Sequence, residues 1–169
     1  MTELVLHEAA VNGEYQQLES MLMIHRIDID HKDEDFGDRT ALHWAASRGH
    51  GKCVKLLLEY GADPTARMVG GWTPAHCAAE TGRLNVLKVL VDHQAPVIIA
   101  DNSGDTPKRV AQIYGHTACV ELLESAEDSS VQKQLLIRDK FRSNTRKISR
   151  IVAEKGLESF QDKVADVTS

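Results

Sequence analysis

Eight histidines and three cysteines are the residues of this chain best equipped for metal binding or nucleophilic chemistry. Zinc needs several such ligands within about 2.0–2.3 Å of one point, and a covalent hydrolytic site needs a nucleophile held beside a base. The spacing tells against both. His43 and His76 each stand three residues after a threonine, 33 positions apart, and His50 and His116 each follow a glycine. A ligand set has no reason to recur at a fixed period, whereas a structural hydrogen bond does. Cys53 and Cys119 occupy equivalent positions two periods apart, roughly 20 Å in a stack whose adjacent helices sit about 10 Å apart. Cys77 replaces Trp44 in the pattern and suits a core position. A phosphate-binding glycine loop and the H-E-x-x-H pair are both absent. Catalysis, metal and cofactor are therefore not expected.

The elements that carry these residues repeat. Thr40-Ala-Leu-His-Trp-Ala-Ala46, Thr73-Pro-Ala-His-Cys-Ala-Ala79 and Thr106-Pro-Lys-Arg-Val-Ala-Gln112 begin 33 residues apart, and Gly49, Gly82 and Gly115 keep the same interval. Each threonine suits a helix N-cap, and Pro74 and Pro107 follow at the first helical position, where a missing N–H costs nothing. The glycines suit left-handed positions that end a short first helix. A second, more apolar helix over about Lys52–Glu59 ends at Gly61, and turn formers such as Gly70–Gly71 follow in a projecting loop. Neither helix buries its apolar face alone, so neighbouring copies must supply the core. Loop fingers are expected near Asp33–Arg39, Met68–Trp72 and Asp101–Asp105.

The unit T-x-L-H-x-A-A-x-x-G-H…L-L-L-x-x-G-A-D resembles the ankyrin repeat, whose period and signature it shares. The expected fold is all-α, an ankyrin-repeat solenoid of about four helix-turn-helix repeats with a C-terminal helical tail. The repeats fall at about 3–36, 37–69, 70–103 and 104–127, and a basic, partly flexible tail occupies 128–169. The first copy, Leu6-His-Glu-Ala-Ala10, lacks the Thr-Pro start, and the fourth has Lys108–Arg109 in place of Leu-His, as a terminal repeat should. The resemblance implies a non-catalytic protein-interaction module, an adaptor or scaffold with its partner on the concave surface. Carried over by position, the contact residues are Arg39, Ser47, Arg48, Tyr60, Trp72, Glu80, Thr81, His93, Asp105, Ile113 and Tyr114. Trp72 and Tyr114 stand out, because exposed aromatics are enriched among interface hot spots. Trp72 lying flat over a neighbouring loop is the structural alternative.

Charge divides unevenly. Through Glu127 there are eleven basic and nineteen acidic side chains, near −8, and from Val131 to Lys155 eight basic residues face only Asp139 and Glu154, near +6. The acidity of the repeats disfavours nucleic acid there. Ser129-Ser-Val-Gln132 reads as a capping box opening the tail, and Val131, Leu135 and Phe141 form a stripe suited to covering the last repeat. The same basic segment offers a second function, binding an acidic surface such as a calmodulin-like protein, anionic lipid or nucleic acid. Arg146-Lys-Ile-Ser149 marks Ser149 as a candidate phosphosite. Three cysteines in no framework spacing point to a reducing, intracellular and cytoplasmic setting, nuclear placement remaining open. Leu4–Leu6 is too short for a signal peptide, and no run reaches membrane-span length. Neither a small-molecule substrate nor a membrane partner is expected, and the chain is expected to be a monomer whose partner is another protein.

Overall fold

The computed structural model describes residues 2–24, 27–129 and 134. Their helices are α1 (Thr2–Asn12), α2 (Tyr15–Leu22), α3 (Ala41–Arg48), α4 (Gly51–Glu59), α5 (Pro74–Glu80), α6 (Leu84–Asp92) and α7 (Pro107–Ile113), followed by α8 over residues 117–129. They form four pairs. The first helices pack in sequence, α1 on α3, α3 on α5 and α5 on α7, and α2, α4 and α6 form a parallel outer row. One core runs through the stack. Small residues Ala45, Ala46, Ala78 and Ala79 let the inner helices approach, while Leu57, Leu87 and Leu90 fill the space beneath the outer row. Among the described residues, the single β-type pairing is the isolated bridge between Asp33 and Arg39.

The N-caps close as the sequence requires, with one addition. The Thr40 amide donates to His43 Nδ1 at 3.2 Å, so that nitrogen is an acceptor and the Thr40 hydroxyl, 2.9 Å away, donates to it as well. Thr73 and His76 repeat this at 3.1 and 2.8 Å. The proton must then sit on Nε2, and it is donated into the next repeat: His43 to Trp72 O and His76 to Asp105 O, each at 3.0 Å. Each acceptor is the carbonyl just before the following cap threonine. The histidines therefore join two repeats as well as closing a turn. Burial drives the His43 imidazole down to about 4, and a smaller effect of the same kind lowers His76.

The glycine ends form a second joint. Gly13, Gly49 and Gly82 adopt φ of +73°, +84° and +67°, and a Cβ on each would meet His50, Arg83 and His116 at 2.6 to 2.7 Å. Those three residues reach back to equivalent carbonyls: His50 Nε2 to Val11 O at 3.0 Å, Arg83 Nε to Ser47 O at 3.3 Å and His116 Nε2 to Glu80 O at 2.9 Å. Glycine is needed twice over, for its backbone conformation and for the ring or guanidinium lying where a side chain would be.

α8 differs from expectation at its end. It is helical through residue 129, so Ser129 continues a helix and does not open one. The physical reason is the missing stop: after Leu123 come Glu-Ser-Ala-Glu, with no glycine at the place where Gly61 ends α4. Val131, Leu135, Phe141 and Ser149 lie outside the described residues.

Candidate functional site

The three loop fingers project from the N-terminal ends of the inner helices. Each closes on a main-chain bond, Asp33 N to Arg39 O at 2.8 Å, Met68 N to Trp72 O at 2.9 Å and Asp101 N to Asp105 O at 2.8 Å. They also bond side by side, Val69 N to Gly37 O and Asn102 N to Gly70 O, both at 3.0 Å. Counting back from the three cap threonines, Phe36, Val69 and Asn102 are equivalent positions in adjacent fingers.

The eleven sequence-predicted contact residues separate into three groups. Arg39, Trp72 and Asp105 stand at the finger end, directly before the caps of α3, α5 and α7. Ser47, Arg48, Glu80, Thr81, Ile113 and Tyr114 sit at the opposite ends of those helices, about 10–12 Å away for seven or eight residues at 1.5 Å each. Tyr60 and His93 cap the C-terminal ends of α4 and α6 in the outer row. The first two groups share the inner-helix layer, whereas the third belongs to the other layer.

Several of these side chains are already engaged. Trp72 is half-buried, stacks on His76 with centroids 5.9 Å apart, and donates its indole N–H to Asp101 Oδ2 at 2.9 Å. It bridges two fingers. Desolvation opposes ionisation of Asp101, but hydrogen bonds from the Asp105 and Ser103 amides and the Trp72 indole outweigh it and hold the carboxyl below its usual range. The Thr81 hydroxyl donates to Cys77 O at 2.8 Å, and Asp105 contributes its carbonyl to His76. His93 Nδ1 bonds Val89 O at 2.8 Å. Arg39 lies over the Trp44 ring, 4.6 Å from its centroid. Arg48 is exposed, and Ile113 and Tyr114 are 59% and 53% exposed. The Tyr114 hydroxyl donates to Glu80 at 3.3 Å, so the ends of α5 and α7 meet there.

Sequence reasoning passed over Phe36 and Val69, 61% and 63% exposed, and left Trp44 out of the contact residues. The available signal was the register of the fingers: an apolar residue four before a cap threonine falls on a finger's outer turn. Chemistry of the reactive kind is not assembled among the described residues. No group of three or more His, Cys, Asp or Glu is gathered where a metal could be held. Cys53, Cys77 and Cys119 are buried, and burial raises all three thiols, Cys77 to about 12. An open hollow of about 850 Å³ between α2 and α4, lined by residues including Tyr15, Lys52, Lys55 and Glu59, belongs to the outer row, away from the fingers.

Comparison with known families agrees with this geometry. The model of ankyrin repeats in three copies matches residues 6–101 and 67–134. The chain is an ankyrin-repeat protein. Among curated relatives it is 35% identical over 109 residues to glycerophosphocholine phosphodiesterase GDE1 of Candida albicans, covering 64% of this chain and 9% of that protein. It is 28% identical over 124 residues to human transient receptor potential cation channel subfamily A member 1, covering 73% and 11%. Mouse protein phosphatase 1 regulatory subunit 27 matches at 42% over 67 residues, covering 40% and 44%. The first relatives are far longer, and the chain spans only about a tenth of their length. Ankyrin repeats are in general protein-interaction modules. None of the helices described here is long and apolar enough to cross a membrane.

Proposed function

We propose that this ankyrin protein is a non-catalytic adaptor that holds another protein on the face made by its fingers and inner helices. The observation that carries this reading is the pair Ile113 and Tyr114, more than half exposed at the end of α7 beside Glu80 of α5. Large apolar and aromatic side chains left in water on a repeat surface are the raw material of interface hot spots. Arg48, exposed in the equivalent region of α3, adds a charged contact. Relatives named as regulatory subunits of protein phosphatase 1 support a protein as the kind of partner. The unpaired cysteines support an intracellular setting. Proximity labelling followed by purified binding tests the proposal. Tyr114→Ala should weaken the captured partner by about 2 kcal/mol or more, and charge reversal at Arg146 and Lys147 should leave affinity within about threefold. The opposite pattern would move the function to the basic segment 131–155.

A further inference from the structure

We propose that the first two fingers form a docking site for an extended, basic segment of a partner protein, whose main-chain carbonyl accepts a hydrogen bond from Trp44. This deepens the adaptor reading and rests on it. Trp44 Nε1 is buried without a hydrogen-bond partner, the one buried side-chain donor or acceptor among the described residues left so. An N–H in that state costs free energy that an arriving acceptor returns. The groups lying against its ring belong to a surface finger: Phe36 meets it edge-on at 5.8 Å, and Arg39 covers a face. The other tryptophan, Trp72, has its N–H fully used by Asp101. The chain has thus satisfied one indole and left the other unpaired beneath a solvent-facing turn, whose side chains must move aside for an acceptor to reach it.

The neighbourhood defines what brings the acceptor. Phe36 and Val69 occupy equivalent positions in adjacent fingers, and Val69 lies 3.7 Å from where a Cβ on Gly37 would stand, so the two fingers present one apolar strip. Exposed Glu34 and Asp35 directly precede Phe36, in a repeat block near −8, and outnumber Arg39, which is stacked on the Trp44 face. A carboxylate partner would meet that charge, whereas a peptide carbonyl carries none and a basic flank complements it. An extended segment also offers carbonyls and apolar side chains in alternation, which suits a hydrogen-bond donor seated beside an apolar strip.

The test uses the full chain and a random dodecapeptide library displayed on phage. Enriched peptides should carry Lys or Arg next to an aliphatic or aromatic residue. Because the chain has two tryptophans, its ¹⁵N–¹H spectrum has two indole signals. The synthetic consensus peptide should shift that of Trp44 and leave that of Trp72. Trp44→Phe, which removes the N–H and keeps one aromatic ring, should weaken binding about five- to tenfold, and a retained cooperative urea transition separates that loss from unfolding. Phe36→Ala should weaken it similarly. Failure to enrich peptides, an acidic consensus, or an unmoved Trp44 signal would overturn the site. Peptides that instead shift Ile113 and Tyr114 would do so while leaving the adaptor reading intact, and peptides that shift only residues 128–169 would remove both.

Discussion

The glycine joints make a quantitative prediction with a built-in control. Gly82 and Gly115 hold the same repeat position with φ of +67° and +76°, but a Cβ on Gly82 would stand 2.7 Å from His116 Nδ1, whereas no described atom lies within 4 Å of one on Gly115. Alanine at a left-handed position costs about 1–2 kcal/mol, of which roughly 0.4–1 kcal/mol is offset by the stiffer unfolded chain. Gly115→Ala should therefore cost about 1 kcal/mol or slightly less. Gly82→Ala carries the same backbone cost and must also displace the His116 ring, breaking its 2.9 Å bond to Glu80 O. That bond is worth about 1 kcal/mol, so with lost packing the total should reach about 2–3 kcal/mol. Urea melts followed by circular dichroism give both values. In a double-mutant cycle, Gly82→Ala made in a His116→Ala background should cost no more than Gly115→Ala. Equal costs for Gly82→Ala and Gly115→Ala, or a Gly82→Ala cost indifferent to His116, would refute the claim that the imidazole and the missing side chain share one space.

Three further measurements probe the core and the inter-repeat bonds. His43 titrates near 6.5 when unfolded and about 4 when folded, so the unfolded chain binds the extra proton between those values. Its stabilising effect is complete above pH 6.5 and is lost as pH falls towards 4, about 2 kcal/mol by pH 5, with His76 acting in the same direction; the urea midpoint should fall less steeply in His43→Gln. With exposures of 1–2%, Cys53, Cys77 and Cys119 should resist a thiol-specific disulfide reagent in the native protein, and all three should react in urea. Rapid native labelling would show that the buried thiols are accessible. Leu57→Ala and Leu90→Ala should each destabilise by about 2–5 kcal/mol through cavity formation, and Thr73→Ala by about 0.5–2 kcal/mol through its cap. A ranking that places Thr73→Ala worst would mean the core is elsewhere.

Much of this architecture was written in single residues. The cap threonines at 40, 73 and 106, the helix-ending glycines and the turn formers act on neighbours a few positions away, so their consequences follow from local backbone chemistry. That is why the helix pairs and all three fingers were legible, and why the run past Leu123 was misread only where the usual stop signal is missing. What lay beyond the sequence concerns residues about 30 to 40 positions apart. Whether His43 Nε2 meets Trp72 O, whether His50 covers Gly13, and whether the Trp72 indole finds Asp101 while that of Trp44 finds nothing all depend on the rotation and offset between successive repeats. A period of 33 fixes how often a unit recurs and leaves that offset free. The same limit governs the surface: position in the repeat set His93 at the end of a second helix and Trp72 and Ile113 at the two ends of first helices, and only the stacked repeats decided that Trp72 is held by His76 and Asp101 while Ile113 stays exposed.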